Sequence, residues 1–124
     1  MTTIKAADAP TFELPGVTFT GLAAPSRGSA ETAMWRVRIE PGEPGVPHRL
    51  DREEVFVALG GHAVATLDDD RTELRAGDAL IVPPGTWFTL TAQGVESFEA
   101  VVALPVGGTA SFEGGEPFTP PWAE

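Results

Sequence analysis

Cysteine is absent from this 124-residue chain, which excludes disulfides, thiolate metal sites and thiol nucleophiles and makes the fold indifferent to redox compartment. Basic residues are scarce: eight against eighteen acidic ones give a net charge of -10, a field that repels nucleic acid and anionic membrane surfaces. No apolar run approaches the ~20 residues of a membrane span, and the opening MTTIKAADAP lacks the apolar stretch of a signal peptide. A soluble, cytoplasmic protein is expected, with neither nucleic acid nor membrane as partner. Phosphate-cradling G-x-G-x-x-G and Walker loops, the G-x-S-x-G nucleophile elbow and the H-E-x-x-H helix are missing too.

Fourteen glycines and twelve prolines are too many for a helical bundle, while 42% hydrophobic residues are too many for a disordered chain. Turn-rich β structure satisfies both, and a chain of this length makes one domain around one core. Short apolar segments between turn signals predict about nine strands and no helix, within the range of a jelly roll. Phe12, Leu14, Val17 and Phe19 mark an N-terminal strand pair over 11–22, broken at Pro15-Gly16. Over 34–40 Trp35, Val37 and Ile39 take one face and Arg36 and Arg38 the other. Further strands are expected over 46–50, 54–59, 62–67, 71–75, 79–82, 86–91 and 95–104. Gly60-Gly61 reads as a two-residue hairpin loop that returns 62–67 antiparallel beside 54–59. Residues 105–124 lack periodicity, yet Phe112, Phe118 and Trp122 predict that this tail packs over the barrel or a neighbouring subunit.

The densest signal runs from Gly42 to Ala92. Gly42, His48, Glu54 and Gly61 are spaced as G-x5-H-x-H-x3-E-x6-G, with Leu50 in the place of the second histidine. Gly77, Pro83 and Gly85 follow as G-x5-P-x-G-x2-H-x3-N, with Phe88 in place of the histidine and Ala92 in place of the asparagine. This pair of motifs resembles those of the cupin superfamily. The resemblance implies an all-β fold, a cupin jelly-roll barrel or double-stranded β-helix, as a single domain over 1–124. Its core barrel would occupy about 33–104, with N-terminal strands over 11–22 and a tail over 105–124. It also implies a common dimeric state and a metal site of three histidines and one glutamate inside the barrel, of which this chain keeps only His48 and Glu54.

Even spacing within their strands lets His48, Leu50, Glu54, Phe56, Ala58, Phe88 and Leu90 share the inward face. Zinc sites usually offer three or more protein ligands, and the iron facial triad needs two histidines and a carboxylate. No cofactor is therefore expected, and if a divalent metal binds at all, its ligands would be His48 and Glu54. His62 does not substitute: after a two-residue loop it faces the side Glu54 avoids and stands about 16 Å along the sheet. Arg36, Arg38 and Glu53 read as solvated strand charges, and Trp87 as covering an outer surface.

A carboxyl group among apolar side chains resists ionisation, so Glu54 should titrate high unless His48 pairs with it. Such a pair, with His48 and Glu54 as catalytic residues, can support metal-independent proton transfer of isomerase, cyclase or lyase type on a small, mostly apolar molecule. The bland alternative is a mutually satisfied buried contact. Two other functions stay open: a metal-dependent, dioxygenase-like enzyme with a weak His/Glu site, and a non-catalytic ligand-sensing or interaction domain. Val55, Val57 and Leu59 are apolar on the side away from Glu54, and a second subunit covering them makes a homodimer the expected assembly.

Overall fold

Period-two apolar patterning produces strands with one dry face, and dry faces are satisfied by stacking. In the computed structural model, which describes all 124 residues, eleven strands do so. They are β1 (Thr11–Leu14), β2 (Val17–Ala23), β3 (Thr32–Ile39), β4 (His48–Leu50), β5 (Glu54–Gly60) and β6 (His62–Leu67), then β7 (Asp70–Arg75), β8 (Ala79–Val82), β9 (Phe88–Ala92), β10 (Phe98–Pro105) and β11 (Ala110–Phe112). One sheet has the order β1-β2-β3-β10-β5-β8 and the other β11-β4-β9-β6-β7, with every pairing antiparallel. The fold is a jelly roll. Helix is confined to three single 3-10 turns, and no helix is long and apolar enough to cross a membrane.

Central β10 shows how the sequence builds the core. Phe98, Ala100, Val102 and Leu104 are buried every second residue between β3 and β5. Across β3, Ala33, Trp35, Val37 and Ile39 are buried, while Arg36 and Arg38 point out and pair with Glu99 and Glu40. The turn between β6 and β7 is tight: Leu67 faces Asp70, and Asp68 takes φ 50°, a left-handed conformation that aspartate tolerates better than most residues.

Gly60-Gly61 is not a hairpin. β5 pairs with β8 and β10 in one sheet, and β6 pairs with β7 and β9 in the other, so the glycines carry the chain between sheets. Gly61 has φ 78°, and a Cβ there would sit on the Ser97 carbonyl oxygen, so both its conformation and its closeness to the start of β10 require glycine. A glycine pair announces a reversal without naming the partner strand.

The tail adds an element that its aperiodic sequence hides. β11 pairs with β4, placing Ala110 opposite Leu50 and Phe112 opposite His48. Ala110 also exchanges both backbone hydrogen bonds with Phe118, 2.8 and 2.9 Å, so the tail doubles back. Trp122 then stacks on Phe19 with centroids 3.6 Å apart and planes 2° from parallel, and meets Phe12 and Trp35 edge-on at 6.4 Å. The amide of Ser26 closes the end by donating to the Glu124 carbonyl. The tail packs over the body of the fold, as its aromatics predicted.

Candidate functional site

Between the sheets, at the end where β4 and β5 begin, lies a cavity of about 370 Å³. Of its 22 lining residues 15 are hydrophobic, the composition of a small-molecule pocket. His48, Leu50, Phe88 and Leu90 line it from β4 and β9, whereas Glu54 and Phe56 line it from β5 in the opposite sheet. Glu54 and His48 therefore line the cavity from different walls.

Six of the seven residues predicted to share the inward face line the cavity; Ala58 does not. It is buried, at 3% exposure, deeper along β5 and opposite Ala100. Ala63, Ala65 and Ala92 are also buried, and with such small side chains this end closes. His62 is likewise absent from the lining. It pairs in register with Arg75, and its Nε2 lies 3.6 Å from the Glu73 carboxylate. Trp87 points outward under the Arg49 guanidinium, 4.7 Å from its ring centre.

Glu54 is the one charged-type side chain in the buried core, with 4% exposure. It starts β5 opposite Val82, and the strand's alternation aims it inward with Phe56. No hydrogen bond satisfies its carboxyl, and Oε1 is fully buried without a partner. Desolvation raises its pKa to about 8, so it is a neutral carboxylic acid at pH 7. An unpaired polar atom in an apolar wall is costly and calls for an explanation.

His48 is held differently. Its Nδ1 lies 2.8 Å from the Val46 carbonyl; a carbonyl oxygen only accepts, so Nδ1 carries the proton and neutral Nε2 is left as an acceptor. The ring is clasped by Phe88 at 4.3 Å and Phe112 at 6.3 Å. Burial lowers its pKa against the opposing effect of the Val46 hydrogen bond. No ion pair joins His48 to Glu54, so the buried mutual contact is not formed and nothing pulls the Glu54 pKa back down.

These residues do not fit a tightly held metal ion. No group of three His, Asp or Glu side chains converges anywhere in the structure. The two positions where ligands would complete the set are the buried apolar side chains Leu50 and Phe88, at 3% and 2% exposure. Two donors, on different walls, fall short of what zinc or a facial-triad iron requires.

Several wall residues went unassigned in the sequence. Trp35, Val37 and Ile39 from β3, Val17 and Phe19 from β2, and Phe112, Phe118 and Trp122 from the tail all line the cavity. The signals were present, as a clean alternation on β3 and as aromatics stranded among glycine and proline, but neither says which cavity a dry face borders.

Comparison with known proteins agrees with the jelly-roll fold. The sequence signature of the cupin domain matches residues 35–104. The fold superposes on the polyketide cyclase RemF from Streptomyces resistomycificus with a TM-score of 0.75 at 18% identity, over 85% of this chain and 79% of the cyclase. In sequence the chain is 40% identical over 50 residues to gentisate 1,2 dioxygenase 1 of Aquipseudomonas alcaligenes, covering 40% of this chain and 14% of the dioxygenase. It is 35% identical over 74 residues to the beta-conglycinin alpha' subunit of Glycine max, covering 55% of this chain and 12% of that protein. The chain thus spans less than a fifth of the length of the curated relatives it matches.

Proposed function

Because the chain belongs to the cupin family, we propose that its barrel binds a small, mostly apolar organic molecule and moves protons on it without a metal ion, with Glu54 and His48 as the working groups. The observation that supports this most is the unpartnered Glu54 carboxyl in an apolar cavity that is also lined by an imidazole with an open nitrogen. An acid and a base with complementary protonation at one pH are what general acid/base catalysis needs. Glu54 gives its proton to an oxygen of the ligand while His48 Nε2 takes one from carbon or oxygen elsewhere on it. The ligand is isomerised, nothing is oxidised, and proton exchange with solvent resets both groups.

Enolisation of a simple aryl ketone tests the chemistry directly. In heavy water at neutral pH the protein should speed deuterium uptake at the methyl group of acetophenone, read by proton NMR. Glu54→Gln should still bind acetophenone and lose the acceleration. Uptake at the buffer rate with bound acetophenone, or an unchanged rate in the variant, refutes the acid/base assignment.

We also propose a homodimer formed through the outer face of the six-stranded sheet. Val57, Leu59 and Ile81 stand there 36%, 47% and 58% exposed; none of these is covered by the N-terminal strands, which lie at the far edge of the same sheet. Contiguous exposed apolar surface marks interaction sites. Sedimentation at micromolar concentration should give twice the 13.0 kDa chain mass, and Ile81→Glu with Val57→Glu should return the monomer. A wild-type monomer sinks the idea.

A further inference from the structure

The two polar groups of the cavity offer a ligand opposite things. Glu54, protonated at neutral pH, presents an O–H that donates and has no protein acceptor. His48, with its Nδ1–H spent on the Val46 carbonyl, presents Nε2, which accepts. They stand in different sheets, so one bound molecule meets the donor on one side and the acceptor on the other.

The remaining wall is mostly apolar, and seven of its residues are aromatic. Phe56 and Phe88 meet edge-to-face at 6.0 Å, Phe112 and Phe118 stack at 5.5 Å, and Trp35 and Trp122 complete the enclosure. Ring faces reward a flat ring by about two- to tenfold in affinity per well-placed pair, beyond the area buried. No lysine or arginine lines the cavity, and the one other charged residue there is Glu43, so an anionic ligand would enter without a counter-charge. An ammonium ligand fares badly for another reason. It would have to ionise Glu54, which has no second donor to hold its buried Oε1.

We infer that the ligand is a neutral, flat aromatic compound bearing a carbonyl oxygen and a hydroxyl group at separate positions, the carbonyl accepting from Glu54 and the hydroxyl donating to His48 Nε2. This deepens the function proposed above and rests on the cavity being the binding site.

The probe is 4-hydroxyacetophenone, titrated at pH 7 by calorimetry and by the fluorescence of Trp35 and Trp122. It is compared with acetophenone, which lacks the hydroxyl, 4-ethylphenol, which lacks the carbonyl, and with anionic 4-hydroxybenzoate, cationic tyramine and purely apolar toluene. Each removed hydrogen bond should weaken binding about tenfold, and both charged analogues should bind more weakly than either neutral one. Glu54→Leu should erase the preference over 4-ethylphenol, and His48→Phe the preference over acetophenone. Toluene binding retained by both variants shows that they are folded. Similar affinities for toluene and all three neutral oxygen-bearing probes would overturn the ligand class while leaving an apolar binding cavity in place. Tighter binding of 4-hydroxybenzoate or tyramine overturns it as well. Failure of every probe, toluene included, overturns both this inference and the reading beneath it.

Discussion

Replacing Glu54 by glutamine should uncouple stability from pH over a range that the wild-type carboxyl dominates. The folded-state pKa is raised to about 8 from an ordinary value of 4.5. Below the lower value both folded and unfolded chains carry the proton, and Glu54 costs nothing beyond its missing hydrogen bond. Between the two values the unfolded chain ionises while the folded one does not, so stability falls by about 1.4 kcal/mol per pH unit. The sign is that of a raised pKa: the contribution is whole at acid pH and lost as pH rises through the folded value. From about pH 5 to about pH 7 the loss is about 3 kcal/mol, and it levels off above pH 8 near 5 kcal/mol. Glutamine has nearly the same shape and cannot ionise. Urea unfolding of both proteins across about pH 5 to pH 9 gives a stability difference in which every other titrating group cancels. That difference should grow in favour of glutamine by the amounts above. A difference constant within about 0.5 kcal/mol would mean that Glu54 ionises normally in the fold, and the neutral-acid chemistry would go with it.

Trp122→Ala should cost about 2–4 kcal/mol by equilibrium unfolding, because it removes the stacked Phe19 contact and two edge contacts; a loss under about 0.5 kcal/mol would show that the tail is not anchored there. Leu50→His combined with Phe88→His should create zinc binding visible by calorimetry, since position 88 is the register partner of His48 and position 50 shares the inward face. A folded double variant with no zinc affinity would refute the view that only ligands are lacking.

Much of this was legible in residue order alone. Two motifs with intact glycines and proline identified the barrel, and period-two spacing put His48, Leu50, Glu54, Phe56, Phe88 and Leu90 on inward faces. Local rules suffice for these because a side chain's facing depends only on its own strand. The rule reached its limit at Ala58, which faces inward as predicted but lies where the sheets close. It failed at Gly60-Gly61, where turn chemistry marked the reversal while long-range pairing with β8 and β10 chose the sheet. β11 escaped because a three-residue strand at a sheet edge, anchored by β4 and Phe118, needs no periodicity of its own.

Composition and motif spacing by themselves determined the fold family, the poverty of metal donors and the identity of the two polar groups in the barrel. Only the tertiary structure decided that Glu54 and His48 stand on opposite sheets, unpaired, beneath aromatics supplied by both ends of the chain. The reason is one of range. Facing is written in the two-residue repeat of a strand, whereas whether a carboxyl finds a partner depends on which distant segments pack across from it, and that is settled by the whole core at once.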